Sequence, residues 1–155
     1  MLQITRDGEY AVRAVLFLAT RLEGTLSLIS EIAETQEVPR SYLSKIMQHL
    51  VKAGLVKSRR GARGGFYLAK KPEEITLRQA IEAIEGPIFL NVCLIKKGEC
   101  HRDEFCPVHQ VWIEAQRRLF EVLDGKTMAQ LVEDGEALKK ISHRKKTAKK
   151  PPASV

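Results

Sequence analysis

The sequence predicts a mostly α-helical chain: a helix-turn-helix carrying a basic two-stranded wing, followed by a C-terminal dimerisation helix. Three observations predict it. Apolar residues recur at helical spacing in successive segments punctuated by Gly24, Pro39 and Gly54. The glycine-rich run RRGARGG then separates two short apolar stretches, as a hairpin loop does. Residues 38–72 hold nine Lys/Arg and no Asp or Glu, and that window spans both the third helical segment and the hairpin.

The first helix is predicted over residues 8–22, where Ala11, Ala14, Val15, Leu18, Ala19 and Leu22 share a face. Ser27 is placed to cap a short second helix carrying Leu28, Ile29, Ile32 and Ala33. After the turn TQEVP, Pro39 suits the first position of a third helix. That helix aligns Leu43, Ile46, Met47 and Leu50 at i, i+3, i+4 and i+7, and Gly54 stops it. Leu55-Val56 and Phe66-Tyr67-Leu68 are the wing strands. Thr76-Leu-Arg-Gln79 is a capping box for a helix through Ile84. A long helix follows from about Pro107 to Leu123, with Cys106 at its N-cap and His109 in its first turn. Thr127-Met-Ala-Gln130 caps a last short helix. The resulting organisation is a winged helix-turn-helix over 1–90, a cysteine-rich loop over 91–106, a dimerisation helix with a final short helix over 107–138, and a disordered basic tail over 139–155.

Charge placement points to a polyanion. The formal net charge is +7, and the seven Lys/Arg of residues 139–155 account for all of it. Within the neutral remainder, the acid-free window faces a body with a net charge of −9. Segregation of this kind marks a nucleic-acid face rather than an ordinary solvated surface, which mixes both signs. With the apolar stripe buried, the third helix presents Arg40, Ser41, Tyr42 and Lys45 to a major groove of double-stranded DNA. Arg59, Arg60 and Arg63 flank the wing tip, where an arginine can enter a narrow minor groove, and Gly61 lets the wing backbone approach the sugar-phosphate chain. The lysine-rich tail adds non-specific phosphate attraction.

No apolar run approaches the length of a membrane span, and the N-terminus lacks the features of a secretory signal. A cytoplasmic location follows as the expectation. In that compartment cysteines serve metals or redox chemistry more often than structural disulfides. All three lie in CLIKKGECHRDEFCPVH, spaced Cys93-x6-Cys100-x5-Cys106-x2-His109. Three thiolates and an imidazole are a sufficient donor set for one metal centre. Structural zinc favours a tighter pair of cysteines, whereas an iron–sulfur cluster tolerates a loose encircling loop. By chemistry alone the readings are a cluster, structural zinc or a cluster-free thiol switch. An enzyme using a cysteine nucleophile would find His and Asp103 nearby. However, the chain has no phosphate loop, no C-x-x-C and too small a scaffold for a substrate cleft, so it is not read as an enzyme.

The helix after the loop carries Val111, Trp112, Ala115, Leu119 and Val122 in a heptad-like pattern with no adjacent partner in sequence. That is the expected seam of a homodimer, which would set two recognition helices on a palindromic operator.

Three segments, LQITRDGEYAVRA, VPRSYLSKIMQHLVKAGLV and RGARGGFYL, resemble the Rrf2 family of bacterial transcription factors, over about residues 1–135. The resemblance implies a minor-groove role for Arg60 and groove contacts for Ser41, Tyr42 and Lys45. The family's iron–sulfur-assembly regulators carry an acidic residue where this chain has Ser44, so their target sequence does not transfer. Members with three cysteines in this loop bind [2Fe-2S] or [4Fe-4S] clusters. The run CPVHQVW resembles the branch whose histidine completes a [2Fe-2S] site, which favours His109 and [2Fe-2S]. A second branch, nitric-oxide sensors, holds [4Fe-4S] with an acidic ligand near the partner's N-terminus; Asp7 and Glu9 are the residues here in that region. The six-residue first gap departs from the five of the [2Fe-2S] branch. Cluster-sensing control of DNA affinity is the functional expectation, and a winged-helix regulator with a thiol switch or structural zinc is the alternative.

Overall fold

The computed structural model describes residues 4–96 and 98–148. The order is α1 (Arg6–Ala19), α2 (Ile29–Thr35), α3 (Arg40–Lys52), β1 (Val56–Arg59), β2 (Gly65–Leu68), α4 (Leu77–Glu85), α5 (His109–Asp124) and α6 (Met128–Ala148). The chain is mostly helical with one small antiparallel sheet, as predicted. Its core gathers Ala11, Ala14, Val15 and Leu18 of α1, Ile32 of α2, and Leu43, Ile46, Met47 and Leu50 of α3. The small side chains of α1 let α3 and α4 pack closely on it. The predicted α3 stripe is therefore buried, which turns the opposite face outward.

Four local expectations shift. The first helix starts earlier because Thr5 caps it, accepting from the Gly8 N–H at 3.2 Å; it stops at Ala19, and Leu22 lies beyond the helix, 85% exposed. Ser27 does not cap α2. Leu28 holds that position in extended backbone with no side-chain cap, and Ser27 instead exchanges two 2.9 Å backbone hydrogen bonds with Phe66. β pairing satisfies both main-chain groups of Ser27, which a capping side chain could not do. The long helix begins at His109, so Cys106 lies a turn before it, its carbonyl accepting from the His109 N–H at 3.2 Å. Finally, α6 is not short: it runs for 21 residues to Ala148. Residues 139–148 are helical because Lys, Arg and Ala favour helix and no proline intervenes before Pro151. The rest of the predicted disordered tail, 149–155, lies outside the described residues.

The wing is locked to the body at Ser27–Phe66, next to the β1–β2 register Arg59↔Gly65. A Cβ on Gly65 would sit 2.6 Å from the Ser27 carbonyl oxygen, a backbone atom that cannot swing aside. Gly65→Ala is expected to lower the unfolding free energy by about 1–3 kcal/mol. Urea denaturation checks it, and an unchanged midpoint would mean that this close approach does not exist in solution.

The C-terminal segment is tied back to the winged domain. Leu77 N–H donates to the Lys126 carbonyl at 3.0 Å, and Met128 N–H to that of Ile75 at 2.8 Å. Both capping boxes form, Thr76 with Gln79 and Thr127 with Gln130. Met128 is completely buried in the core. These anchors fix where α5 leaves and returns, and hence where its outer face points.

Candidate nucleic-acid interface and candidate metal centre

Arg40, Ser41, Tyr42 and Lys45 all stand exposed along the outer face of α3, with Tyr42 55% exposed. Ser44 is half-buried, its hydroxyl donating to the Arg40 carbonyl at 3.0 Å. Arg59 ends β1, and Arg60, Gly61 and Arg63 form the exposed wing tip. Gly61 has φ +110°, a conformation that side chains resist, and the turn closes through Gly64 N–H to the Gly61 carbonyl at 2.9 Å. The structure thus brings the predicted helix and wing residues onto exposed surface of one winged domain.

Ion pairing separates this face from the rest. Elsewhere, Arg13 pairs with Glu9, Arg21 with Glu31, Arg78 with Asp124, and Lys126 with Asp134. Among the described residues, none of the nine cations of the 38–72 window pairs with a carboxylate. Cations left without counter-charges within the chain are available to phosphates.

The cysteine loop follows α4, which ends at Gly86 with φ +75°. Two side chains fasten its first half: Glu82 accepts from Ile88 N–H and Gln116 of α5 from Leu90 N–H, both at 3.1 Å. Asn91 caps a single turn, Val92–Leu94, that contains Cys93. The remainder is a series of turns, closed by Asp103 N–H to the Cys100 carbonyl and Gly98 N–H to Asp103 Oδ2, each 3.1 Å. Cys93, Cys100 and Cys106 are half-buried, and none is in a disulfide.

Cys93, Asp103 and His109 converge, each offering a donor atom within 4.8 Å of the others. Cys100 and Cys106 lie outside that close group but near enough to act on it. Loss of hydration, then the negative charges of Asp103, Cys100 and Cys106, push the Cys93 thiol up. His109 Nδ1 and Asp103 Oδ1 are buried without hydrogen-bond partners, 3.9 Å apart. Such atoms are costly to leave unsatisfied, and a bound cation would satisfy both. The donors present therefore fit a metal centre. Asp103 is the donor of this group that spacing did not single out. Its signal was an acid three residues after Cys100 and six before His109. His101, Asp7 and Glu9 are exposed, and Glu9 is engaged by Arg13.

Helix α5 has three distinct sides. Gln116 and Phe120 face the chain's own body, Phe120 lying 4.3 Å beneath the Arg78 guanidinium. A second side carries an ion-pair network in which Arg117 and Arg118 pull the Glu114 carboxyl down to about 2. The third carries Val111, Trp112, Ala115 and Val122, while Leu119, half-buried, lines a groove with Ile81 and Glu85 of α4. Val111 and Val122 are 60% and 68% exposed, and no residue of α5 is fully buried.

A helix-turn-helix with a basic wing, the nine cations of its 38–72 stretch unpaired with any carboxylate among the described residues, defines a DNA-binding transcriptional regulator. The chain belongs to the Rrf2 family: the family model, described as an iron-dependent transcriptional regulator, matches residues 4–134. It is 34% identical over 143 residues to the HTH-type transcriptional regulator IscR of Aliivibrio salmonicida, covering 92% of this chain and 84% of that protein. Among solved structures, T. potens IscR superposes with a TM-score of 0.69 at 32% identity, over 88% of this chain and 90% of that one. CymR of B. subtilis, described as the global cysteine regulator, gives 0.69 at 32% identity over 86% and 98%. These relatives are transcriptional regulators, not enzymes. Among the described residues, no helix is long and apolar enough to cross a membrane.

Proposed function

We propose that this chain is a homodimeric cytoplasmic regulator whose grip on a palindromic operator depends on an iron–sulfur centre held by Cys93, Cys100, Cys106 and His109. [2Fe-2S] is favoured over [4Fe-4S] because His109 supplies a fourth donor within the same chain. The observation that carries the proposal is mechanical. The sulfur-bearing loop is pinned to α4 through Glu82 and to α5 through Gln116, and His109 is the first residue of α5. Whatever draws Cys93 and His109 together therefore sets how α5 leaves the winged domain.

When bound, a cluster supplies a thiolate-held centre whose charge and integrity respond to electrons and oxidants. The protein's own residues do the rest. Val111, Trp112, Ala115, Leu119 and Val122 bury against a second copy. The two-fold axis so formed spaces two α3 helices to successive major grooves, roughly 34 Å apart on one face of the duplex. Arg40, Ser41, Tyr42 and Lys45 meet base edges and phosphates there, and Arg60 enters the flanking minor groove. A change in loop order alters α5, the spacing and the affinity together, with a coupling of about 1–3 kcal/mol.

Arg60→Ala tests the DNA arm. Operator affinity should fall by about 1–3 kcal/mol, read by fluorescence anisotropy at fixed salt, with iron and sulfide content unchanged. Equal affinity would remove Arg60 from the interface.

The likeness to a cysteine regulator, with three half-buried thiols outside any disulfide, supports a second reading in which the loop is a cluster-free thiol switch. Anaerobically purified protein separates the two. Colour with about two irons and two sulfides per chain supports the [2Fe-2S] reading. A colourless protein whose operator affinity changes on oxidation supports the switch.

A further inference from the structure

The close triad Cys93, Asp103 and His109 is not explained by a cluster resting on three cysteines and one histidine. The Asp103 side chain is only 10% exposed and that of His109 15%. Asp103 spends one oxygen, Oδ2, on the Gly98 N–H at 3.1 Å. Its other oxygen and His109 Nδ1 face each other unpartnered across 3.9 Å, too far for a hydrogen bond. Two donors on one tetrahedral ion, each bonded at about 2.0–2.1 Å, stand roughly 3.4 Å apart. A closure of roughly half an ångström would seat both on a single ion, with Cys93 as the third donor.

We infer that Cys93 Sγ, Asp103 Oδ1 and His109 Nδ1 form a site for one divalent transition-metal ion, Zn(II) or Fe(II), occupied when no cluster is present. Thiolate and imidazole select such ions over Mg(II) or Ca(II), and the two anionic donors balance a dication. Cys93 gives up its proton to solvent on binding. The site uses Asp103 and neither Cys100 nor Cys106, so it stands apart from the cluster reading. Because Cys93 and His109 serve both donor sets, ion and cluster exclude each other, and the loop registers divalent metal as a second input.

The test is an anaerobic titration of Co(II) into the reduced, cluster-free full chain. One cobalt per chain is expected, with a near-ultraviolet thiolate-to-cobalt band and visible d–d bands that one equivalent of Zn(II) removes. Asp103→Asn retains an acceptor for the Gly98 N–H but should weaken cobalt binding more than about tenfold while loading iron and sulfide as the parent does. Cys100→Ala should do the reverse. The proposal is overturned if the parent takes no cobalt, if Asp103→Asn binds it as the parent does, or if Cys100→Ala loses the site. Loss of both cobalt and iron–sulfide loading in Asp103→Asn would also overturn it, assigning Asp103 to the order of the loop. Failure of the parent to load iron and sulfide counts against the cluster alone, since the cobalt arm reads independently.

Discussion

Cys100→Ala, purified without oxygen, is expected to come off the column colourless, with bound iron and acid-labile sulfide reduced to background. Cys100 is half-buried in a run of turns, and its structural duty is done by its carbonyl, which accepts from the Asp103 N–H at 3.1 Å. Alanine supplies the same carbonyl, so the loss is chemical rather than structural. A cluster needs its thiolates, and alanine offers no donor atom. Cys93→Ala and Cys106→Ala should behave alike, while the thermal midpoint moves little because none of the three thiols belongs to the apolar core. The checks are iron and sulfide assays beside a far-ultraviolet dichroism melt. A variant retaining full colour removes its residue from the ligand set. His109→Ala distinguishes the cluster types: loss of colour fits His109 as a ligand of [2Fe-2S], whereas full loading with about four irons would turn the search to the acids near the N-terminus.

The second large effect is expected from Val122→Asp. Val122 is 68% exposed in the isolated chain, so the substitution leaves the fold intact. In a seam of Val111, Trp112, Ala115, Leu119 and Val122 it would bury two carboxylates near a two-fold axis, each deprived of water and facing its like. Sedimentation should show a monomer. Operator affinity should then fall by roughly 10²–10⁴-fold, the advantage that tethering a second half-site confers. A dimer of unchanged stability would place the seam elsewhere, and a monomer with undiminished affinity would mean that one half-site suffices.

Much of this was legible from residue order. The α3 stripe of Leu43, Ile46, Met47 and Leu50, the two capping boxes and the wing strands depend on local spacing, and the structure shows each, with the first strand displaced from Leu55-Val56 to Val56–Arg59. The acid-free window was visible too, although only the coordinates reveal that, among the described residues, its cations pair with no carboxylate. Ser27 was misread because a serine before an apolar run carries the local signal of a cap. Its actual role depends on Phe66, 39 residues away in sequence. The extent of α6 was underestimated because a basic composition reads as tail when its helix-forming residues are not weighed.

Sequence by itself determined the class of fold, the exposed basic face of helix and wing, and the donor types in the loop, because each rests on periodicity, charge or side-chain chemistry within a short stretch. Tertiary structure alone decided which donors meet. Cys93 and His109 are brought together from the two ends of the loop, Cys100 and Cys106 stand back, and Asp103 turns inward with an unsatisfied oxygen. Those relations follow from how α4 and α5 pin the loop's ends. Packing at a distance leaves no periodic trace in the order of residues.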